Sequence, residues 1–252
     1  VDQFYYYDDL HRLDLETGRL ERLTNGLRAR EPDVSPDGRR VVFVRNRMGA
    51  TGLGLLDLSD RSVTDLTGLD DRRQVYTPRF SPGGRQVVYS RGRPDGGREI
   101  VLLDLPAPGR PARPARRLTR GRTMDLQPAF GPDGRRVYFS SDRTGIYNLH
   151  AVDVATGRVT RVTNVATGAF FPDPAPDGRG LAFVIYGPDG YDVAWLDLPQ
   201  PERRAVTTRA ERPPPPYPDT TEIYPEERYS PWWSLLPRAW FPTWGEDPWG
   251  TT

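Results

Sequence analysis

The chain has 252 residues, and its 35 basic and 34 acidic side chains nearly cancel, which excludes a global field that draws the protein to nucleic acid or to an anionic membrane. It contains no cysteine, so disulfides, thiol catalysis and iron–sulfur clusters are excluded. The 25 glycines and 27 prolines predict a folded chain with many turns, and no apolar run reaches the roughly 18 residues of a membrane-spanning helix. Because the chain begins with Val1, we expect it to be a piece of a longer protein.

The N-terminal region predicts part of a repeating unit. Residues 10–25 match residues 149–164 at nine of sixteen positions without a gap. Both stretches contain a Thr-Gly pair, which is typical of a tight turn between two short strands. We therefore predict that the chain opens on the second half of a repeat whose complete copies follow.

A proline-glycine turn then recurs four times, with spacings of 46, 50 and 44 residues. Proline at the second turn position fixes φ at about −65°, and glycine at the fourth accepts the left-handed conformation that closes a hairpin. A further proline stands four residues before each turn proline, and a short apolar run that predicts a buried strand follows each turn. The four turns begin at Ser35, Ser81, Gly131 and Ala175.

Each unit continues with two more strand signals. One apolar run ends in an aspartate, and the next ends in an aliphatic residue followed by threonine, as in Leu66-Thr67 and Val206-Thr207. The strands have consecutive apolar positions, which require cover on both faces of the sheet. Radial stacking of four-stranded sheets provides that cover and predicts a β-propeller. The alternative, a long sandwich, predicts alternating apolar and polar strands without a turn that recurs at this period.

We therefore predict an all-β fold: a β-propeller of about five to six four-stranded antiparallel blades, the first incomplete, followed by an irregular tail rich in proline and tryptophan. The predicted propeller covers residues 1–208 and the tail covers residues 209–252. The predicted repeats span residues 1–27, 28–68, 69–120, 121–164 and 165–208.

The repeated residues resemble the TolB-like, WD-repeat-like propellers, whose repeats read P-x-F-S-P-D-G, an apolar strand, a strand ending in D-L-x-T-G, and then L-T. The resemblance covers residues 4–207 and departs from the pattern at Gly83, Gly131 and Ala175 within the turns. It implies a propeller, typically of six blades, in a periplasmic or outer-membrane-associated protein. Because this fold serves many proteins, the resemblance is specific for the fold and not for the function.

The tail has two interpretations. It begins with Pro213–Pro216, a stiff polyproline II spacer, and its segment from Tyr229 to Arg238 is similar to the one that joins such propellers to a BamA-like surface-antigen outer-membrane barrel. That resemblance implies a tail that meets a membrane interface or the mouth of a barrel. The alternative is that the tryptophan rings cover an apolar patch on the propeller. The tail tryptophans are Trp232, Trp233, Trp240, Trp244 and Trp249.

The sequence contains none of the common catalytic or phosphate-binding motifs. The two histidines, His11 and His150, occupy equivalent positions of the repeat, which is typical of structural residues. We expect the aspartate that ends a strand in each unit to accept hydrogen bonds from the adjacent turn rather than to join a carboxylate cluster. We therefore predict no catalytic residue, no metal site, no cofactor and no small-molecule substrate.

The arginines suggest where a protein partner would bind. The arginine-rich stretch at residues 110–122 is interrupted by proline and lacks aromatic residues that stack on bases, so we interpret it as a solvated blade edge, with anion binding as the alternative. The longer loops, near residues 25–31, 45–52, 68–77, 91–97, 120–127, 141–146 and 164–171, lie at the other end of the blades from the turns, where we expect recognition. Their candidate partner-binding residues, for which ordinary surface charge is the alternative, are Arg45, Arg47, Arg72, Arg73, Arg91, Arg93 and Arg143.

Two functions remain open on this sequence. The first is a non-catalytic interaction module of a Gram-negative envelope protein, whose partners are other envelope proteins or its own barrel, with membrane contact only through the tail. The second is the substrate-gating propeller of a prolyl-oligopeptidase-like or tricorn-like peptidase whose catalytic domain lies outside this chain. A third, a sugar lyase, requires clustered metal-binding histidines, which two equivalent histidines do not provide.

Overall fold

The structure is a computed structural model that describes residues 8–105 and 114–198, and over these residues the protein is all-β. Within these ranges no helix has the length and the apolar character needed to cross a membrane. The seventeen strands of the described residues are β1 His11–Leu13, β2 Leu20–Arg22, β3 Ala29–Val34, β4 Arg40–Arg47, β5 Ala50–Asp57, β6 Val63–Asp65, β7 Val75–Phe80, β8 Gln86–Gly92, β9 Arg98–Asp104, β10 Arg116–Arg117, β11 Asp125–Phe130, β12 Arg136–Ser141, β13 Asn148–Asp153, β14 Val159–Arg161, β15 Ala169–Pro174, β16 Gly180–Gly187 and β17 Gly190–Asp197.

The strands form antiparallel sheets that follow one another in chain order. β1 and β2 make a hairpin, here called the half-blade, and three four-stranded sheets follow: blade 1 (β3–β6), blade 2 (β7–β10) and blade 3 (β11–β14). Blade 4 consists of β15–β17 within the described residues. The first strand of blades 2, 3 and 4 lies against three strands of the blade before it. This arrangement confirms the predicted all-β propeller.

Burial on both faces explains the consecutive apolar residues of the strands. In β4, Val42 packs in a cluster with Val75 of blade 2, whereas Val41 packs on the opposite face with Leu10 of the half-blade. Similar clusters lie between blades 2 and 3 and between blades 3 and 4. Full burial of such a side chain stabilises the fold by about 1.5–3 kcal/mol. The core is therefore a series of layers between blades.

The predicted turns close the hairpins at one end of the blades. In all four, the glycine N–H donates to the carbonyl of the first turn residue at 2.8–2.9 Å, and the glycine φ lies between 64° and 72°. Successive turns also meet: Arg40 Nη2 of blade 1 donates to the carbonyl of Gly84 in blade 2 at 2.9 Å. The turn sequence thus fixes each hairpin, and in blades 1 and 2 a hydrogen bond joins one hairpin to the turn of the next.

A bulge recurs in the first strand of each blade, at the residue before the repeated proline. Glu31, Thr77, Gln127 and Phe171 have φ between 45° and 53°, and the strand register shifts at each of them. This left-handed region is unfavourable for residues other than glycine. Hydrogen bonds between blades offset the cost, because Glu31 Oε2 accepts the Thr77 N–H at 2.5 Å and Gln127 Oε1 accepts the Phe171 N–H at 3.0 Å.

Several predicted loops extend into strands, and the loop predicted at residues 45–52 does so most. The stretch 45–52 is mostly strand, because β4 runs to Arg47 and β5 starts at Ala50. Only Met48 and Gly49 form the turn, both with positive φ. The apolar run ends near Val44, but the backbone continues to pair through polar residues. Arg91 likewise lies in β8 rather than in a loop.

Candidate functional site

The loop end of blades 1 and 2 is a continuous surface. The connection from β6 to β7 packs on the turn between β4 and β5: Gln74 Nε2 donates to the Gly49 carbonyl at 3.0 Å, and Thr51 forms a bridge with Asp70. The Thr51 Oγ1 atom also accepts the Val75 N–H at 2.7 Å. These contacts hold the turn between β4 and β5 beside the connection from β6 to β7, although the two segments are distant in the sequence.

Three of the predicted partner-binding arginines lie on this surface. Arg47, Arg72 and Arg73 are exposed, and Met48 beside them is 91% exposed. Within the described ranges none of the three guanidinium groups forms an ion pair. We call Arg47, Met48, Arg72 and Arg73 the arginine surface. It offers positive charge and an exposed thioether on a backbone fixed by the contacts above.

Three other predicted arginines are already paired with acidic neighbours. Arg45 Nη1 lies 2.7 Å from Asp65 Oδ1, and Arg91 Nη2 lies 2.6 Å from Glu99 Oε1. Arg93 contacts Asp95. The more exposed pairs of Arg45 and Arg93 contribute about 0–1 kcal/mol each, whereas Glu99 is buried. The charge of the three arginines is locally neutralised, so they offer less to an acidic partner than the arginine surface does.

Arg143, the remaining predicted arginine, is buried inside blade 3. Its Nη2 atom lies 2.8 and 2.9 Å from the two carboxylate oxygens of Asp125, and both side chains are almost fully buried. Arg143 Nε donates to Ser141 Oγ at 3.0 Å, and that hydroxyl donates to Asp125 at 2.6 Å. Thr123 Oγ1 completes the group with a donation to Asp125 at 3.1 Å. Arg143 therefore holds the blade together and does not face a partner.

His150 lies close to this buried network. The Phe139 ring contacts both groups, with its centroid 5.9 Å from the His150 ring and 5.1 Å from the Arg143 guanidinium carbon. Burial lowers the pKa of His150 from its ordinary 6.5 to about 4, and the Arg143 charge acts in the same direction. His150 Nδ1 contacts the Asn148 carbonyl at 2.9 Å. A neutral imidazole in this place is part of the core.

The repeated aspartates hold the turns, as the sequence predicts for most of them. Asp153 Oδ1 accepts the Thr156 N–H at 2.8 Å, and Asp14 and Asp57 accept turn N–H groups in the same way. These hydrogen bonds lower the pKa of all three carboxyl groups. Asp104 and Asp197 accept hydrogen bonds from the side chains of Gln86 and Trp195.

The two histidines do not meet. His11 is exposed on the half-blade, and its Nδ1 contacts the Asp9 carbonyl at 3.1 Å, which repeats the geometry of His150. Among residues 8–105 and 114–198, no group of three or more histidine, aspartate or glutamate side chains is placed to hold a metal ion.

Blade 4 carries a second exposed surface that the sequence prediction missed. Tyr186, Tyr191, Val193 and Trp195 are 47%, 70%, 81% and 57% exposed, and we call them the aromatic surface. The Tyr186 and Tyr191 rings lie 5.0 Å apart between centroids. Exposed apolar patches mark interaction sites, and tyrosine and tryptophan are enriched in protein interfaces.

Comparison with known proteins agrees with this geometry. Residues 31–228 match the family model of the TolB beta propeller domain. The chain belongs to the TolB β-propeller family. An uncharacterized protein of Agrobacterium fabrum is 35% identical to this TolB-family chain over 160 residues, which are 63% of the chain and 52% of that protein. A TolB homolog of Chlorobium luteolum is 28% identical over 161 residues, 60% of this chain and 33% of its own length. The chain thus spans between a third and about half of these relatives.

Solved structures show the same TolB-type fold. The crystal structure of TolB from Acinetobacter baumannii covers 75% of the chain with a TM-score of 0.63 at 24% identity, and the match covers 46% of that protein. A puromycin hydrolase covers 71% of the chain with a TM-score of 0.55 at 26% identity, over 31% of its own length. A fold of this type therefore occurs both in TolB and in a puromycin hydrolase.

In this TolB-family propeller, one of the two features missed from the sequence is a departure from the repeat. Asp125 stands at the repeat position where the other blades have Ala29, Val75 and Ala169. A charged residue at a position that is otherwise apolar was the sequence signal for the buried ion pair with Arg143. The aromatic surface had no such signal, because Val193 occupies a column of core aliphatic residues.

Several predicted features lie outside the described residues. These are the tail tryptophans, the proline spacer, and Arg110 and Arg113 of the arginine-rich stretch. Within the described part, Arg116 and Arg117 form β10, the exposed outer strand of blade 2. Arg116 Nη1 donates to the Val154 carbonyl of blade 3 at 2.8 Å. The solvated-edge interpretation of this stretch therefore agrees with its described half.

Proposed function

We propose that the chain is a non-catalytic protein-interaction module of a Gram-negative cell-envelope protein, which binds its partner through the loop end of blades 1 and 2. Membership of the TolB family supports the envelope location. The arginine surface is the observation that carries the proposal, because three guanidinium groups stay without ion pairs among the described residues while their backbone is fixed. Such a surface attracts an acidic patch on another envelope protein.

A photoreactive amino acid placed at position 48 tests this proposal in cells that express the full-length protein. We expect position 48 to yield cross-linked adducts with another envelope protein. The control is the same amino acid at position 39, an exposed position at the turn end of blade 1. Equal adducts at both positions, or none at position 48, contradict a binding role for the loop end.

Charge reversal gives a second test of the arginine surface. The triple variant Arg47→Glu, Arg72→Glu, Arg73→Glu should lose the adducts while unfolding at the same temperature as the natural protein. A matched variant, Arg19→Glu, Arg39→Glu, Arg135→Glu, changes the net charge equally at exposed turn positions and should keep them. Loss in both variants would mean that net charge, rather than this surface, attracts the partner.

We further propose that the tail links the propeller to an outer-membrane barrel, with the tail tryptophans at the membrane interface. The resemblance of the segment from Tyr229 to Arg238 supports this proposal, and the aromatic residue content fits a membrane boundary. Fractionation of cells that express the full-length protein tests it. We expect the outer-membrane fraction and a heat-modifiable mobility on gels; recovery in the soluble periplasmic fraction contradicts the linkage.

The alternative function is the substrate-gating propeller of a prolyl-oligopeptidase-like or tricorn-like peptidase. The puromycin hydrolase match at 26% identity favours this alternative, since 31% of that enzyme's chain has a similar fold. A fluorophosphonate probe reacts with activated serine nucleophiles and distinguishes the two functions. Labelling of the full-length protein supports the peptidase, whereas the interaction module predicts no labelling.

A further inference from the structure

A further cationic group lies beside the arginine surface, at the loop end of blade 2. Arg98 is the first residue of β9, and its guanidinium carbon lies over the Tyr76 ring, 3.7 Å from the ring centroid. A cation within about 6 Å of an aromatic centroid is attracted to the ring face. Both residues are half-buried. The Tyr76 ring therefore holds the Arg98 guanidinium in one place.

The N–H groups of this guanidinium have no acceptor in the described part of the chain. Among residues 8–105 and 114–198, the Arg98 side chain forms no hydrogen bond and no ion pair, whereas its neighbours Arg91 and Arg93 are both ion-paired. A guanidinium carries five N–H donors, and partial burial of donors without acceptors costs free energy. Its planar fork matches the two oxygens of a carboxylate.

A chain of hydrogen bonds connects the Tyr76 ring to the arginine surface. The Tyr76 hydroxyl donates to Gln74 Oε1 at 2.8 Å, and Gln74 Nε2 donates to the Gly49 carbonyl at 3.0 Å. Gly49 follows Met48 in the turn between β4 and β5. Arg98 is thus fixed relative to the arginine surface. A group that is already fixed loses little conformational freedom when it binds a ligand.

The other blades show that packing does not require a charge at this place. Arg98 stands six residues before the aspartate that ends its strand, and Tyr76 directly precedes the bulge. The equivalent pairs in the other blades are Arg30 and Thr51, Leu126 and Tyr147, and Phe170 and Tyr191. In blade 4 the two rings of this pair lie 6.4 Å apart between centroids. Two aromatic residues can therefore make the contact that Tyr76 makes with Arg98.

One carboxylate of blade 3 lies near Arg98. Arg98 forms a backbone bridge with Met124, and Asp142 Oδ1 accepts the Met124 N–H at 2.8 Å. Burial raises the pKa of Tyr147, the charge of Asp142 adds to this effect, and the charge of Arg98 opposes it. Both Asp142 and Arg98 are described, and no ion pair joins them. The Asp142 charge therefore opposes a carboxylate that approaches Arg98 without occupying the site itself.

We propose that Arg98 is the anchor residue of the partner-binding surface and that its guanidinium binds the carboxylate of one aspartate or glutamate side chain of the protein partner. The arginine surface attracts the acidic patch around that side chain. Fixed arginines are enriched among the residues that dominate binding energy. This inference rests on the proposed function. The competing explanation is that Arg98 only joins blades 2 and 3.

Substitution of Arg98 tests the anchor through the adducts formed by the photoreactive amino acid at position 48 of the full-length protein. Arg98→Lys keeps the charge but loses the planar fork, and we expect the adduct yield to fall about tenfold. Arg98→Tyr introduces the residue found at Tyr191 and should reduce the yield at least as much. Both variants should melt at the temperature of the natural protein. The matched control, Arg73→Lys, should change the yield by less than about twofold, because an exposed charge needs no fixed geometry.

These variants separate failure of the anchor from failure of the proposed function. Equal yields for Arg98→Lys and Arg73→Lys overturn the anchor and leave the interaction module in place. Adducts that are absent from the natural protein contradict both. A lower melting temperature in both Arg98 variants assigns Arg98 to the contact between blades and also overturns the anchor.

Removal of the nearby negative charge gives a test with the opposite sign. Asp142→Asn keeps an acceptor for the Met124 N–H and should raise the adduct yield about two- to threefold, because less repulsion opposes the partner's carboxylate. The matched control is Asp60→Asn at the turn end of blade 1, where Asp60 Oδ1 accepts the Ser62 N–H at 2.8 Å. It changes the net charge equally and should leave the yield unchanged. A yield for Asp142→Asn that equals the control or falls below it overturns the proposal.

Discussion

Blades 3 and 4 are built from the same repeat, yet residues at equivalent positions differ in burial and in their contacts. Leu149 of blade 3 is fully buried under blade 4, whereas Val193, its equivalent in blade 4, is 81% exposed. Blade 3 also places a buried Asp125–Arg143 pair where blade 4 has Ala169 and Gly187. The comparison teaches that a repeat position becomes core or surface according to what covers the sheet.

The largest expected effect lies in the polar centre of blade 3. Asp125→Ala leaves the Arg143 guanidinium buried without its partner and should lower the free energy of unfolding by about 3–5 kcal/mol. Urea denaturation of the full chain measures the loss. The double variant Asp125→Ala, Arg143→Met removes both charges and should recover much of it. A loss below about 1 kcal/mol for Asp125→Ala would show that the pair is solvated.

A second prediction concerns the pH dependence of stability. Blade 3 has the titratable residue His150 at the position where blade 4 has Ala194. The pKa of folded His150 is about 4, below its ordinary 6.5, so the unfolded chain binds the proton first. Stability should therefore fall as the pH drops from 6.5 towards 4, by roughly 3 kcal/mol from this residue. His150→Val, which introduces the residue found at Val101, should flatten that part of the profile. Identical profiles for both proteins would contradict a buried neutral histidine.

The third prediction concerns a pair of hydrogen bonds in blade 3, here called the threonine clasp, in which the Val162 N–H donates to the Leu149 carbonyl and Thr163 Oγ1 accepts the Leu149 N–H, both at 2.8 Å. It should contribute less. Thr163→Val keeps the side-chain shape but leaves the buried Leu149 N–H without its acceptor, which should cost about 1–3 kcal/mol. Thr144→Val, at an exposed position of the same blade, is the control and should stay within about 0.5 kcal/mol. Equal melting temperatures for the two variants would show that the threonine clasp does not stabilise the fold.

The smallest expected effect contrasts an open sheet with a covered one. Gly180→Ala in blade 4 displaces only the exposed end of Trp195, so we expect a loss below about 1 kcal/mol. Gly54→Ala in blade 1 places a Cβ 2.6 Å from Cζ of the buried Phe43 ring and should cost about 1–3 kcal/mol. Thermal unfolding of both variants compares them. A larger loss for Gly180→Ala would mean that its sheet is as tightly packed as blade 1.

The sequence predicts the fold well because the repeat encodes local chemistry. Pro36 and Gly38 fix a turn by their own φ preferences, and Val41–Val44 require cover on both faces. The site is less predictable, because it depends on contacts between distant residues. Arg47 and Arg143 hold equivalent repeat positions, yet Arg47 is exposed and Arg143 is buried against Asp125 of a neighbouring strand. Whether Val193 is buried depends on whether another sheet covers blade 4, and no local sequence pattern shows that.

The central claim is that coverage by a neighbouring sheet decides whether a repeat position is buried. The most direct test is a comparison of Leu149→Ala with Val193→Ala by urea denaturation of the full chain. Leu149→Ala should lower the free energy of unfolding by about 2–5 kcal/mol, because it opens a cavity between blades. Val193→Ala should change it by less than about 0.5 kcal/mol. Equal losses at the two positions would contradict the difference between the covered and the open blade.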